Sequence, residues 1–335
     1  MRLLVLGGTA MLGRAVATQG VTDGHEVTCV ARGVAGTVPD GVRWVRGDRD
    51  LPDGLAGVTG SGARWDAVID VSRQPGQVRS AVDALEPLAS TFVFVSTGNV
   101  YADHSGLSTD ESVALLAPFD GDVMSDMSVY GEAKVACELA VLEGFGADRS
   151  LIARAGLIGG PGDSSGRSGW WPWRFAHPAG VADAVLTPDD PELPMAIIDA
   201  RDLAWWLVRC ADSGSSGIFD AVGEPDTVGG LLLAARSVTG HDGPVVSASA
   251  AWLAEHGVQE WMGDDSLPLW ISDPDWRGFA SHTGAAARAA GLTCRPVADT
   301  LRDAAAYEEN RAATDPRRCG LSDATERRLL ALLGH

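Results

Sequence analysis

The stretch LLVLGGTAMLGR, residues 3–14, passes from four apolar residues through a pair of glycines into a helical pattern. An apolar run that short, ended by turn residues, reads as a strand buried on both faces. Gly7 and Gly13 lie six apart, and Ala10 stands where a dinucleotide-binding turn has its middle glycine. Glycine at 7 permits the tight turn, a small residue at 10 lets the backbone approach a pyrophosphate, and Gly13 lets the helix lie close on the sheet. The helix N-terminus then directs unpaired N–H groups and its positive dipole end at the phosphates.

Working outward, short apolar runs alternate with helical patterns. Strands are expected at 2–8, 26–32, 42–48, 66–72, 91–97 and 150–156, with helices at 11–20, 75–89 and 128–147. That alternation is the signature of βαβ units. The fold class is α/β: a Rossmann-type doubly wound parallel sheet with a smaller, mostly helical C-terminal substrate domain. Residues 1–160 are expected to form the nucleotide domain, with 195–222 returning to it as a further strand–helix–strand unit. Residues 161–194 and 223–335 are assigned to the substrate domain. No internal repeat is present. The segment GGPGDSSGRSGWWPWRFAHPAG, rich in Gly, Ser and Pro, reads as a mobile loop over 160–180. Trp205 and Trp206, on the helix after IIDARD, read as core. Ser322 or Asp323 is placed to cap a last amphipathic helix.

With 45% hydrophobic and 21% charged residues in 335, the chain reads as globular rather than disordered. No apolar run is long enough to cross a bilayer, and MRLLVLGG is too short for a signal peptide. Five scattered cysteines without a CxxC pair read as reduced thiols of a cytoplasmic protein. Seven histidines without metal-ligand spacing give no metal site. A net charge of −19 repels polyphosphate backbones and anionic membranes, which leaves a small molecule as the expected partner of a monomer or homodimer.

The second strand ends CVARG. NAD-binding versions of this turn carry an acidic residue there to hold the ribose hydroxyls. Here Ala31 occupies that place and Arg32, whose guanidinium suits a 2′-phosphate, follows it. NADP is therefore expected, with NAD as the alternative. Asp48 is placed to accept a hydrogen bond from the adenine amino group.

The stretch SVYGEAKVACE, residues 128–138, holds Lys134, the one lysine among 26 basic residues, four places after Tyr130. On a helix the two share a face. A free phenol titrates near 10, and a neighbouring ammonium favours phenolate. A compact ammonium can also bond ribose hydroxyls where a planar guanidinium fits poorly. Upstream, the fifth strand ends at Ser96 and Thr97, putting a hydroxyl at the C-terminal edge of the sheet, where doubly wound folds bind ligands.

These features together resemble the extended short-chain dehydrogenase/reductases, the group that includes the NAD-dependent epimerase/dehydratase proteins. GGTAMLG (7–13), GD (47–48), STGNVY (96–101), YGEAK (130–134), ARAGLIGGPGD (153–163) and IIDARDLA (197–204) carry the resemblance, with GLTCRPVADTLRDAAAY (291–307) as a further match. It implies Tyr130 as acid/base, Lys134 as its activator and ribose ligand, and Thr97 as the hydroxyl partner. Cofactor contacts are expected from Gly7, Thr9, Ala10, Met11, Leu12, Gly13, Arg32, Asp48, Val71, Ser72, Lys134 and Ala155.

Two departures narrow the activity. Gly98-Asn99 stands where 4,6-dehydratases carry Asp-Glu, so dehydration is not expected. Leu157 replaces an asparagine that nucleotide-sugar enzymes use to hold a diphosphate. Substrate contacts are expected from Thr97, Asn99, Leu157 and the 160–180 loop, through Trp170, Trp171, Trp173 and Arg174. The resulting reading is an NADP-dependent oxidoreductase interconverting a secondary alcohol and a carbonyl by hydride transfer. The alternatives are an epimerase or isomerase that retains its cofactor, and a non-catalytic dinucleotide-binding protein.

Overall fold

A computed structural model describes residues 1–60, 62–311 and 316–335. Seven parallel strands form one sheet: β1 (Arg2–Leu6), β2 (Glu26–Ala31), β3 (Arg43–Arg46), β4 (Trp65–Asp70), β5 (Ala89–Thr97), β6 (Ser150–Ala155) and β7 (Gly217–Ala221). Their order is β7-β6-β5-β4-β1-β2-β3. The chain winds one way from β1 to β3, then restarts beside β1 with β4. That reversal opens a crevice at the carboxyl ends of β1 and β4, the place where such sheets take ligands.

Side chains alternate between the two faces. Leu3, Val5, Ile69, Val93 and Ala153 meet α1 (Met11–Thr22) and α5 (Ala200–Ser213) through Val16, Leu203 and Trp206. Leu4, Leu6, Val68, Phe94 and Ile152 meet α2 (Pro75–Leu85) and α3 (Tyr130–Phe145) through Val78, Val82, Cys137 and Val141. Both faces being covered explains why the strands read as continuous apolar runs. Asp199 caps α5 by accepting from the Arg201 backbone N–H, and Gly214 in the left-handed conformation ends it. Trp206 is fully buried and its indole donates to the Ala290 carbonyl at 3.1 Å.

A separate apolar cluster gathers residues from 157 to 330, among them Leu186, Leu231, Trp270, Leu301 and Leu329. Here the segment 160–180, read from its sequence as a loop, contains a helix. Residues Arg167–Ala176 form a helix, α4, and Trp170, Trp171 and Phe175 are all buried in that cluster. The serines that suggest a loop are tied to Asp163 at the start of this helix, whose N-cap is Gly166. Asp163 accepts from the backbone N–H and hydroxyl of Ser168 at 3.0 and 2.9 Å, and from both groups of Ser165 at 2.9 and 2.6 Å. Ser322, rather than Asp323, caps the last helix by accepting from the Thr325 N–H. Among the described residues no helix is long and apolar enough to cross a membrane.

Candidate active site

The turn after β1 has the shape its glycines imply. Gly7 sits at φ +104°, and a Cβ there would come within 2.7 Å of the Val71 side chain. A Cβ on Gly13 would lie 2.0 Å from the Gly7 carbonyl oxygen, so only glycine lets the first turn of α1 close over the loop. Met11 and Leu12 belong to that same turn. Beyond it opens a cleft of about 850 Å³, walled by Gly7, Thr9, Ala10, Arg32, Val71, Ser72 and three further arginines, 49, 73 and 79. Asp50, Asp83 and Asp122 line it too, and Arg32, Arg49 and Arg79 each face a carboxylate, which leaves Arg73 as the cleft's arginine without an ion pair among the described residues. Its volume, close-approach glycines and arginines fit a nicotinamide dinucleotide.

Arg32 is exposed and faces two carboxylates, Asp50 at 3.5 Å and Asp48 at 3.9 Å. Asp48 also accepts from the Asp50 backbone N–H at 3.1 Å. Asp50 rather than Asp48 lines the cleft. Arg49 closes the floor: it pairs with the fully buried Asp70 at 3.0 and 3.3 Å and also bonds Ser72.

Thr97 and Tyr130 meet at the carboxyl end of β5. Successive strand residues face opposite sides, and the two adjacent hydroxyls diverge accordingly. Ser96 donates to Glu138 at 2.5 Å, whereas Thr97 donates to the Asn99 side chain at 3.1 Å and lies on the side of the Tyr130 phenol. Gly131 fixes this approach, since a Cβ there would lie 2.2 Å from the Asn99 carbonyl oxygen. Burial pushes the Tyr130 phenol above its ordinary value, and the Arg73 charge and the Thr97 hydroxyl oppose that rise.

Lys134 follows one turn later but is turned into the sheet. Its Nζ donates to the carbonyls of Ser72 and Val95, both at 2.6 Å, and sits 4.5 Å from the centre of the Phe94 ring. Burial lowers its pKa to about 8. The cations that draw the Tyr130 phenol down in this state are Arg73 and Arg167. The expected Lys134–Tyr130 pairing is thus modified: the ammonium is held by backbone.

Behind these residues lies a buried polar network that sequence reasoning missed. Arg154 pairs with Glu138 at 2.8 Å and donates to the Tyr101 hydroxyl at 3.2 Å; Tyr101 donates to Asp220 at 2.6 Å, and Asp220 pairs with His282 at 2.8 Å. All five side chains are buried. The one local signal was spacing, because Tyr130, Lys134 and Glu138 fall at i, i+4 and i+8. The partners of Glu138 come from distant strands. Beside the network a small cavity of about 10 Å³, room for one water-sized group, is lined by Gly98, Arg154, Leu157, Asp220 and His282.

The substrate residues divide. Leu157 lines this inner cavity together with Gly98, the residue between Thr97 and Asn99, and Ala155 is buried at the end of β6, level with Thr97. Trp170, Trp171, Trp173 and Arg174 do not line the cavity. Trp171 donates to the Pro268 carbonyl at 2.9 Å, and the Trp173 ring carries the Arg317 guanidinium 3.6 Å above it. Arg174 is spent on Glu326 at 3.0 Å, Asp323 at 2.9 Å and the Leu321 carbonyl at 2.8 Å. Trp170, Trp173 and Arg174 border a different hollow, beside 263–265 and 317–323, that shares no residue with the cleft. Aromatic side chains this large stabilise a core more than a loop could expose them usefully, so packing took them.

Residues 3–204 match the model of the NAD dependent epimerase/dehydratase family. The chain belongs to that family. No curated protein matches it. Solved structures share the fold at low identity. UDP-N-acetylglucosamine 4-epimerase from Bacillus cereus is 15% identical with a TM-score of 0.65, covering 93% of this chain and 98% of that one. UDP-glucose 4-epimerase from Thermotoga maritima, solved with UDP-glucose, is 17% identical with a TM-score of 0.64, covering 92% and 99%. The UDP-glucose 4-epimerase of Thermus thermophilus, solved with NAD, is 19% identical with a TM-score of 0.63, covering 93% and 100%. The protein is an enzyme of the NAD-dependent epimerase/dehydratase type.

Proposed function

We propose that the protein is an NADP-linked oxidoreductase that interconverts a secondary alcohol and a carbonyl on a small molecule. The observation that carries this reading is the convergence of Thr97 and Tyr130 at the edge of β5, next to a cleft shaped for a dinucleotide. A bound dinucleotide supplies the hydride acceptor or donor. Gly7, Thr9, Ala10 and the first turn of α1 hold its pyrophosphate, and Arg32 favours a 2′-phosphate. Tyr130 holds or releases a proton at its phenol oxygen, directly opposite the substrate oxygen. Thr97 orients that oxygen by hydrogen bonding. Lys134 leaves or shares its Ser72 and Val95 carbonyls to reach the ribose hydroxyls.

Leu157 and the compact, hydrogen-bonded wall behind it provide no group for a substrate diphosphate, which favours a smaller substrate than a nucleotide sugar. The epimerase reading has its own support, in the activities named for the structural neighbours. Native mass spectrometry of the purified protein separates the two. An oxidoreductase exchanges cofactor freely and emerges largely without it. Stoichiometric dinucleotide retained through purification would favour the epimerase.

A further inference from the structure

Four arginines line the dinucleotide cleft, and three have carboxylate partners. Arg32 faces Asp50 and Asp48, Arg49 is locked to Asp70, and Arg79 pairs with Asp122 at 2.8 Å. Arg73 has no hydrogen bond or ion pair with any described residue, although the chain carries 45 acidic residues. It is exposed, in the turn between β4 and α2. In the parallel register Asp70 stands opposite Phe94, the last pair of these two strands, and Arg73 follows three residues on. The two chain segments do stay together there, since Lys134 bonds a carbonyl of each, Ser72 and Val95. Arg73 therefore stands on the side of the cleft toward Tyr130, while Arg32 stands at the β2–β3 end and Arg49 reaches across to Asp70 and Ser72. It is absent from the wall of the inner cavity beside Leu157.

We propose that Arg73 binds the nicotinamide-side phosphate of the dinucleotide. This rests on the dinucleotide reading above. An unpaired guanidinium beside a phosphate-binding turn is an electrostatically incomplete group, and a phosphate completes it with charge-assisted, bidentate bonds. Position decides which phosphate: the adenine half lies over β2 and β3, whereas Arg73 adjoins Ser72, whose carbonyl is bonded by Lys134 one turn from Tyr130. It also decides against a substrate anion, because Arg73 lines the cleft and not the inner wall. Its charge also favours the ionised form of the Tyr130 phenol.

The test is direct binding by calorimetry, without turnover. NADP⁺ and NAD⁺ carry both phosphates of the pyrophosphate; 2′,5′-ADP and 5′-AMP carry only the adenine-side one. Arg73→Gln should weaken both dinucleotides about tenfold or more and leave both fragments within a factor of about two. Arg73→Lys should recover part of the loss, since it restores charge without the fork. Because Arg73 is exposed and unpaired, the variants should melt with the parent. Equal weakening of fragments and dinucleotides, or no weakening of either, overturns the assignment. A parent protein that binds none of the four ligands would instead overturn the dinucleotide reading, and this proposal with it.

Discussion

The ammonium of Lys134 lies 2.6 Å from the carbonyl oxygen of Ser72, a residue 62 positions earlier in the chain. With the Val95 carbonyl at the same distance and the Phe94 ring beneath, this is a socket for a compact cation. It gives a physical reason for one lysine in a chain whose other basic residues are all arginine. A guanidinium is planar and wider, and could not satisfy two converging carbonyls from the same stem.

Lys134→Arg should accordingly lose cofactor affinity and turnover together despite conserving charge. Tyr130→Phe should bind cofactor nearly as the parent does and lose turnover by about a hundredfold or more. Steady-state kinetics and cofactor titration of both variants check this. Near-parent turnover in both would remove Tyr130 and Lys134 from the chemistry.

The same socket makes a pH signature. Burial lowers Lys134 to about 8 from the ordinary 10.5. Between those values the unfolded chain binds a proton that the folded chain has released, so this residue's contribution to stability rises with pH across that window. Below about 8 its penalty is fully present. The buried thiols Cys29, Cys137 and Cys319, pushed up to about 12, act in the opposite direction. The quantity to measure is thus the difference between parent and Lys134→Met in urea unfolding from pH 7 to 10.5. That difference should move in favour of the parent as pH rises. A constant difference would mean that the ammonium is not desolvated.

The Glu138–Arg154 pair should behave as a buried charge pair does. Glu138→Ala leaves an uncompensated guanidinium and should cost about 3–5 kcal/mol, and the double variant Glu138→Leu, Arg154→Met should cost less than the single one. Chemical denaturation gives both values. A single-variant cost below about 1 kcal/mol would show that water reaches the pair.

Trp171 should matter to folding and not to binding. Trp171→Ala should destabilise by about 3–5 kcal/mol while leaving cofactor affinity unchanged, and amide exchange across α4 should be slow without any ligand. Fast exchange there would restore the loop reading.

Cofactor choice should depend on Arg32 and on the carboxylate facing it. Arg32→Ala should weaken NADP⁺ far more than NAD⁺. Asp50→Asn should strengthen NADP⁺ by a factor of about two to five, the size of a released surface pair. Equal parent affinities for the two cofactors would remove Arg32 as the discriminator.

What the sequence determined by itself is local. The turn at Gly7 to Gly13 depends on backbone conformation within a dozen residues. The strands follow from short apolar runs, and the shared face of Tyr130 and Lys134 follows from helical periodicity. Each involves residues close in the chain, so each was legible, including the sheet class and the family. What only the tertiary structure decided depends on which strands become neighbours. Lys134 meets Ser72 and Val95, Glu138 meets Arg154, and Asp220 meets His282, at separations of 62, 39, 16 and 62 residues. No spacing rule reaches across such distances. Residues 160–180 show the same limit from the other side. Gly, Ser and Pro suggested a loop, but burial of Trp170, Trp171 and Phe175 against residues up to 330 outweighed local preference, because large aromatic surface removed from water contributes more than backbone propensity costs.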